Sequence, residues 1–182
     1  MHGKTLDCHR REPGPEEIKV KRTGLIIVDD SLFNDLVDLG GDIIISERFD
    51  AAINVPHHSK NGNIAAHSLE TAGYALQIAR WLNQHGISVS EKDVVRASLL
   101  HDIGMTEEDI FLSPSSEKGR THPVEGARIA REEFGANEVQ VDAILHHMWP
   151  FCCLTPPHDA VGFVVTAADK MCSLIETRRR LI

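Results

Sequence analysis

Aromatic residues are scarce: six phenylalanines, two tryptophans and one tyrosine in 182 residues. The 42% apolar content is carried by Leu, Ile, Ala and Val, a composition that favours helices. Any C-x-x-C spacing is also missing. Cys152 and Cys153 are neighbours, Cys8 lies in a polar stretch and Cys172 in a helical pattern, so the cysteines form neither a disulfide frame nor a zinc knuckle. Positive charge is in deficit. A net charge of -8 argues against general binding to the nucleic-acid backbone, although a local basic patch stays open. No apolar run approaches the roughly 20 residues of a membrane helix. The polar N-terminus, with Arg10, Arg11, Glu12, Pro13 and Pro15, does not read as a signal peptide. These absences lead us to expect a reduced, cytoplasmic protein with no membrane attachment. The length suits one domain with a real core.

Histidine, by contrast, is plentiful, with eleven in all. To place them, the chain is read in order. Residues 1–24 are polar, charged and punctuated by Pro and Gly, and read as an arm; residues 25–182 are expected to form one domain. Leu25-Ile26-Ile27-Val28 could be a strand or a docking segment. Ser31 predicts a short helix ended by Gly40-Gly41; Asp42-Ile43-Ile44-Ile45 is ambiguous; Ser46 predicts a helix through about Asn54. From Asn63, one helical stripe is Ile64, His67, Thr71, Tyr74, Ile78 and Leu82, and an adjacent one is Leu69, Ala72, Leu76 and Ala79. Two such stripes cover more than half the helix surface, so this helix should be central.

Ser90 and Asp93 predict a capped start for the next helix, which runs into His101-Asp102 and ends at Gly104. Residues 105–121 lack periodicity and read as a long loop, a candidate lid. Pro123 suits a first helical position, so Thr121 or His122 would cap a helix closed by Gly135. Asn137 opens a helix through His147-Met148, residues 151–158 form a loop, and a last helix starts near Ala160. The predicted fold class is all-α.

Six polar residues interrupt or terminate the apolar faces of these helices: His67, His101, Asp102, His122, His147 and Asp169. Each alone could be a hydrogen-bonded core residue. Together they are hard to satisfy separately inside one small core, because buried charge needs a partner. Neutral His and ionised Asp are ordinary ligands of first-row transition metals. No cysteine joins them, which disfavours a structural zinc site. Six ligands suit two ions about 3.5–4 Å apart, bridged by a carboxylate. Two divalent ions against two Asp residues leave net positive charge, which attracts phosphate and acidifies a bridging water. The chemistry expected is attack of that activated water on a phosphoester.

Five local blocks, Ala66-His67-Ser68-Leu69, Leu100-His101-Asp102-Ile103-Gly104, Thr121-His122-Pro123, His147-Met148-Trp149-Pro150 and Ala168-Asp169-Lys170, appear in an order that resembles the HD-domain superfamily of metal-dependent phosphohydrolases. The resemblance covers roughly residues 57–176 and implies a helical bundle with a metal site among the central helices. It assigns His67, His101, Asp102 and Asp169 to one ion. In two-metal members, His122 and the histidine at 146 or 147 hold the second, with Asp102 bridging. His147 is favoured as ligand because it opens the Met-Trp-Pro block, leaving His146 to assist catalysis or touch substrate. The Gly-Tyr-Pro signature of cyclic-di-GMP phosphodiesterases is absent after His147, so that activity is not expected.

His57 and His58 precede the first ligand helix and are candidate substrate contacts, as are Arg48, Lys118, Arg120 and Lys170, which could clamp phosphate. The cofactors expected are two divalent transition-metal ions, Fe, Mn, Co, Ni or Zn, with Fe or Mn favoured. The expected partner is a small phosphorylated substrate, a nucleotide among the candidates, and nothing in the sequence excludes a homo-oligomer. Two other readings compete. The six-ligand set also resembles that of mixed-valent di-iron oxygenases of the same superfamily, and the fold can serve as a non-catalytic ligand sensor.

Overall fold

The computed structural model describes residues 30–57, 62–105 and 115–179. The predicted arm over 1–24, the apolar run 25–28 and His58 lie outside the described residues, as does most of the predicted lid. The described part is all-α, with seven α-helices and one 3-10 turn. The only strand-like feature among the described residues is an isolated bridge between Pro56 and Asn63.

Helix α1 (Asp30–Ile44) does not stop at Gly40-Gly41 as its glycines suggest. It bends at Gly40, where φ is -149° and ψ 24°, and continues through the ambiguous run after it. Burial explains the continuation: Ile43 and Ile44 are enclosed along with Phe33 and Leu36, each such side chain gaining roughly 1.5–3 kcal/mol. A Cβ at Gly40 would lie 2.6 Å from Leu99 Cδ1, so the bend lets α1 approach α4 closely. Helix α2 (Glu47–Ala51) starts where Ser46 predicts, with Ser46 Oγ accepting from Phe49 N at 3.1 Å. It passes into a 3-10 turn over Ala52–Asn54.

Helix α3 (Ile64–Gln84) is capped by Asn63, whose Oδ1 accepts from Ala66 N at 2.8 Å. Its two stripes are buried over its first four turns except for the half-buried Tyr74 and Ile78, and it packs on both α4 (Glu91–Leu100) and α7 (Ala160–Arg179). Ser90 caps α4 by accepting from Asp93 N. Every α4 residue from Val94 to Leu100 is buried. Arg96 is among them, satisfied by Asp42 Oδ1 at 2.6 Å and the Phe134 carbonyl at 2.9 Å.

Helix α5 (Ser115–Phe134) begins two turns before the predicted start, so Pro123 lies inside the helix and His122 in its middle. Pro114 followed by Ser115, Ser116 and Glu117 is as good a start signal as Pro123. Seven residues assigned to the lid are therefore helical. Helix α6 (Glu138–His146) starts at the Asn137 cap and leads into His147; it packs on α4, α5 and α7. One buried apolar cluster runs through all of these helices. Among the described residues no helix is long and apolar enough to cross a membrane.

Candidate metal centre

Asp102 sits at the end of α4, just past its last turn, and its two carboxylate oxygens face different neighbours. Oδ2 lies 3.3 Å from His101 Nε2, 3.3 Å from His57 Nε2 and 3.8 Å from His67 Nε2. Oδ1 lies 3.1 Å from His122 Nε2 and 3.4 Å from His147 Nε2. Asp169 of α7 completes the first side, with Oδ1 3.2 Å from His67 Nε2 and 3.9 Å from His101 Nε2. On the second side His122 and His147 meet at 2.9 Å between their Nε2 atoms. The structure thus brings together all six residues singled out by their interruption of apolar faces. All are buried, and His67, His101 and His147 have no exposed surface.

Backbone geometry makes this convergence possible. A Cβ on Gly104 would lie 2.4 Å from both Gly126 N and His122 O, and one on Gly126 would lie 3.3 Å from His101 O. The turn after Asp102 therefore runs against the α5 backbone with no room for side chains between them. That contact carries His122 to Asp102. The glycine read from sequence as a helix terminator is a close-approach residue as well.

Residues 64–171 match the HD domain family. The chain belongs to the HD domain family. Most members of that family are metal-dependent hydrolases, and the match spans all six convergent residues. Comparison with curated proteins and with solved structures finds no match.

Whether this HD domain suits a metal can be tested on its nitrogen atoms. His101 Nδ1 lies 2.7 Å from the Ser98 carbonyl, which can only accept, so that nitrogen carries the proton and Nε2 presents a lone pair. Buried Nε2 has no hydrogen-bond partner and faces carboxylate oxygens. Lone pair against lone pair leaves a place for a cation between them, a proton or a metal ion. His147 repeats the arrangement, with Nδ1 donating to the Ile144 carbonyl at 2.7 Å and Nε2 turned to the second side of Asp102. His67, His101 and Asp169 offer donor atoms within 4.8 Å of one another, and so do His101, Asp102 and His147. The residues fit divalent metal binding.

Protonation follows the same layout. Burial works to raise the Asp102 and Asp169 carboxyls, but the surrounding imidazoles outweigh it and hold both well below the ordinary carboxylate value. Burial and the charges of His101 and His122 push His147 down to about 4, against the opposing pull of Asp102. His67 moves the other way. Burial disfavours its charge, yet hydrogen bonds to Asp169, Cys172 and Glu176 raise it well above its ordinary value.

Glu176 was not anticipated from sequence. Its Oε1 accepts from His67 Nδ1 at 3.2 Å, and its Oε2 lies 3.4 Å from His57 Nδ1. Burial opposes its ionisation, but His57 and His67 hold it down at about 2. A carboxylate behind a ligand imidazole fixes ring orientation and raises its basicity. The signal was the helical register: Glu176 lies seven residues after Asp169 on one face of α7.

The other candidates divide between the centre and the surface. His57 is buried beside Asp102 and stacks on His67 with ring centres 4.0 Å apart, so it belongs to the cluster rather than to a loop surface. Lys170 Nζ pairs with Asp169 Oδ2 at 2.6 Å, at the partly exposed rim. Arg48, expected to clamp phosphate, commits its guanidinium to Glu133 near the end of α5. Arg120 is exposed, two residues from His122 and hence on nearly the opposite side of α5. The Lys118 side chain lies outside the described residues. His146, expected to assist beside His147, turns its Nδ1 to Asp142 at 2.9 Å instead.

Proposed function

We propose that this HD domain is a phosphohydrolase that holds two divalent transition-metal ions, with Fe or Mn favoured, and cleaves a phosphomonoester or phosphodiester of a small molecule. The observation that carries the reading is the division of the Asp102 carboxylate, one oxygen toward His57, His67 and His101 and the other toward His122 and His147. His67, His101, Asp169 and Asp102 Oδ2 would hold one ion; His122, His147 and Asp102 Oδ1 the other. Bound divalent ions would supply Lewis-acid charge for the phosphoryl oxygens and lower the pKa of a coordinated water toward neutrality.

The chain's own residues do the positioning. Glu176 orients His67, the Ser98 carbonyl orients His101 and the Ile144 carbonyl orients His147, so each ring presents Nε2 inward. Lys170 adds positive charge at the rim, where an anionic substrate would approach. A net charge of -8 suits a small phosphorylated molecule better than a polyanion, whose long-range repulsion would grow with length. A cytoplasmic setting fits this chemistry.

The test is elemental analysis of purified protein together with turnover of a phosphoester panel under argon. A ratio near two metals per chain with turnover in the absence of oxygen is expected. Oxygen uptake with a two-iron centre would replace the hydrolase by the oxygenase. Metal-loaded protein that turns over nothing would leave only the sensor.

A further inference from the structure

Outside the HD centre, a second group of ligand-type side chains converges on the far side of α6. Asp142 and His146 stand one turn apart on that helix, and His158 reaches them from the connection into α7. His146 Nδ1 lies 2.9 Å from Asp142 Oδ1, and His158 Nδ1 contacts the same oxygen. The three donor atoms lie within 4.8 Å of one another. The His146 and His158 rings meet edge-on, their centres 5.2 Å apart. The Asp142 and His146 side chains are 18% and 16% exposed, while His158 is 70% exposed, so a partly buried pair is completed by an accessible arm. Asp142 and His158 also line an open groove with Asp159, Glu138 and Arg131; Glu138 is paired with Arg131 there, so Asp159 is the further acidic group that would draw a cation inward.

We propose that Asp142, His146 and His158 form a peripheral site for a borderline transition-metal cation such as Zn2+. Two imidazole nitrogens and one carboxylate oxygen match that class, whereas Mg2+ and Ca2+ prefer oxygen donors throughout. Three protein ligands leave a fourth position for water. Ligand atoms about 2.0–2.2 Å from a tetrahedral ion sit roughly 3.3 Å apart, so relative to Asp142 Oδ1 the His146 nitrogen has to open by a few tenths of an ångström and the His158 nitrogen by about 0.8 Å. His146 Nδ1 also donates to the Asp142 backbone carbonyl at 3.0 Å; on binding the cation that hydrogen bond opens, each Nδ1 gives up its proton, and Nε2 carries it instead. The Asp142 carboxylate already fits a charged neighbour: burial opposes its ionisation, but His158 and His146 hold it below the ordinary value. A cation here would fasten the connection that follows His147 to α6, next to the HD centre but independent of its ligands.

The test compares wild-type protein, carrying its central metals, with His158→Ala and His158→Gln. Zn2+ uptake is followed by calorimetry and metal analysis. The glutamine variant can keep a hydrogen bond to Asp142 while being a poor metal ligand, so it separates a lost ligand from a loosened loop. Wild type should bind one more Zn2+ per chain than either variant, with equal central metal content and equal unfolding temperature in chelator. The His158 ring nitrogens should shift in NMR spectra on Zn2+ addition. Equal Zn2+ uptake by wild type and His158→Gln would overturn the proposal and leave the cluster as a tether of the loop. An uptake difference without a His158 shift would overturn it too.

Discussion

The two sides of Asp102 are built differently. On the Oδ2 side, side chains from α3, α4 and α7 meet, and the imidazoles are matched by the carboxylates of Asp169 and Glu176. On the Oδ1 side, α5 and α6 supply two imidazoles, both turned to the same Asp102 oxygen. One half is rich in negative charge and buried among the central helices. The other depends on a shared carboxylate and on a backbone contact at Gly104. A divalent ion should therefore be held more tightly on the Oδ2 side. The lesson is that two sites assembled around one residue need not be equivalent.

The change with the largest expected effect is Asp102→Asn, which removes the anionic bridge and should abolish turnover and empty both halves, as metal analysis would report. His122→Ala should separate them. Metal content is expected to fall by one ion per chain while the Oδ2 side stays loaded, and unchanged content with unchanged activity would break the two-ion proposal. Gly104→Ala should act similarly without touching a ligand. Its methyl would press on backbone atoms, at a cost of roughly 1–3 kcal/mol or more, and His122 should withdraw from Asp102. Calorimetric metal titration alongside thermal unfolding would show whether the Oδ1 side weakens first. Glu176→Gln should lower affinity on the Oδ2 side alone, by about 10–100-fold.

The smallest effect concerns pH in chelator-treated protein. His67 is raised above its ordinary 6.5, so its contribution to stability is complete below pH 6.5 and lost as pH rises through its folded value. His147 is lowered from 6.5 to about 4, so stability falls as pH drops between those values. Glu176, lowered from 4.5 to about 2, adds a further loss across that more acidic window. Thermal unfolding should therefore peak near pH 6.5 and decline on both sides. A maximum well away from there would contradict these assignments. Metal uptake must displace the His67 proton and should weaken as pH falls.

Much of this was legible in the sequence because burying His and Asp is costly enough to mark their positions. His67 on the stripe of α3 and His101-Asp102 at the end of an apolar run stand out for that reason. The caps at Ser46, Asn63, Ser90 and Asn137 were readable as well, since each is a short side chain whose oxygen meets a backbone N–H. What failed were cases where tertiary packing overrides a local signal or a second local signal competes with it. Gly40 bends a helix whose far side is buried, and Pro123 lies inside α5. Glu176 stayed hidden because glutamate near the end of a helix ordinarily faces solvent. Its partners come from segments distant in sequence, and no local pattern encodes them.

The glycine contact between Gly104 and Gly126 also determines how α5 can move. It acts as a fulcrum. His122 lies four residues to one side of Gly126, about 6 Å along the helix axis, and Phe134 eight residues to the other, about 12 Å. A rigid tilt about that point displaces the Phe134 end twice as far as it displaces His122. The Phe134 carbonyl is held by Arg96 of α4, so the point farther from Gly126 than His122 is fastened on the other side of the pivot. The Arg96 hold on the Phe134 end would thus limit how far His122 can swing from Asp102.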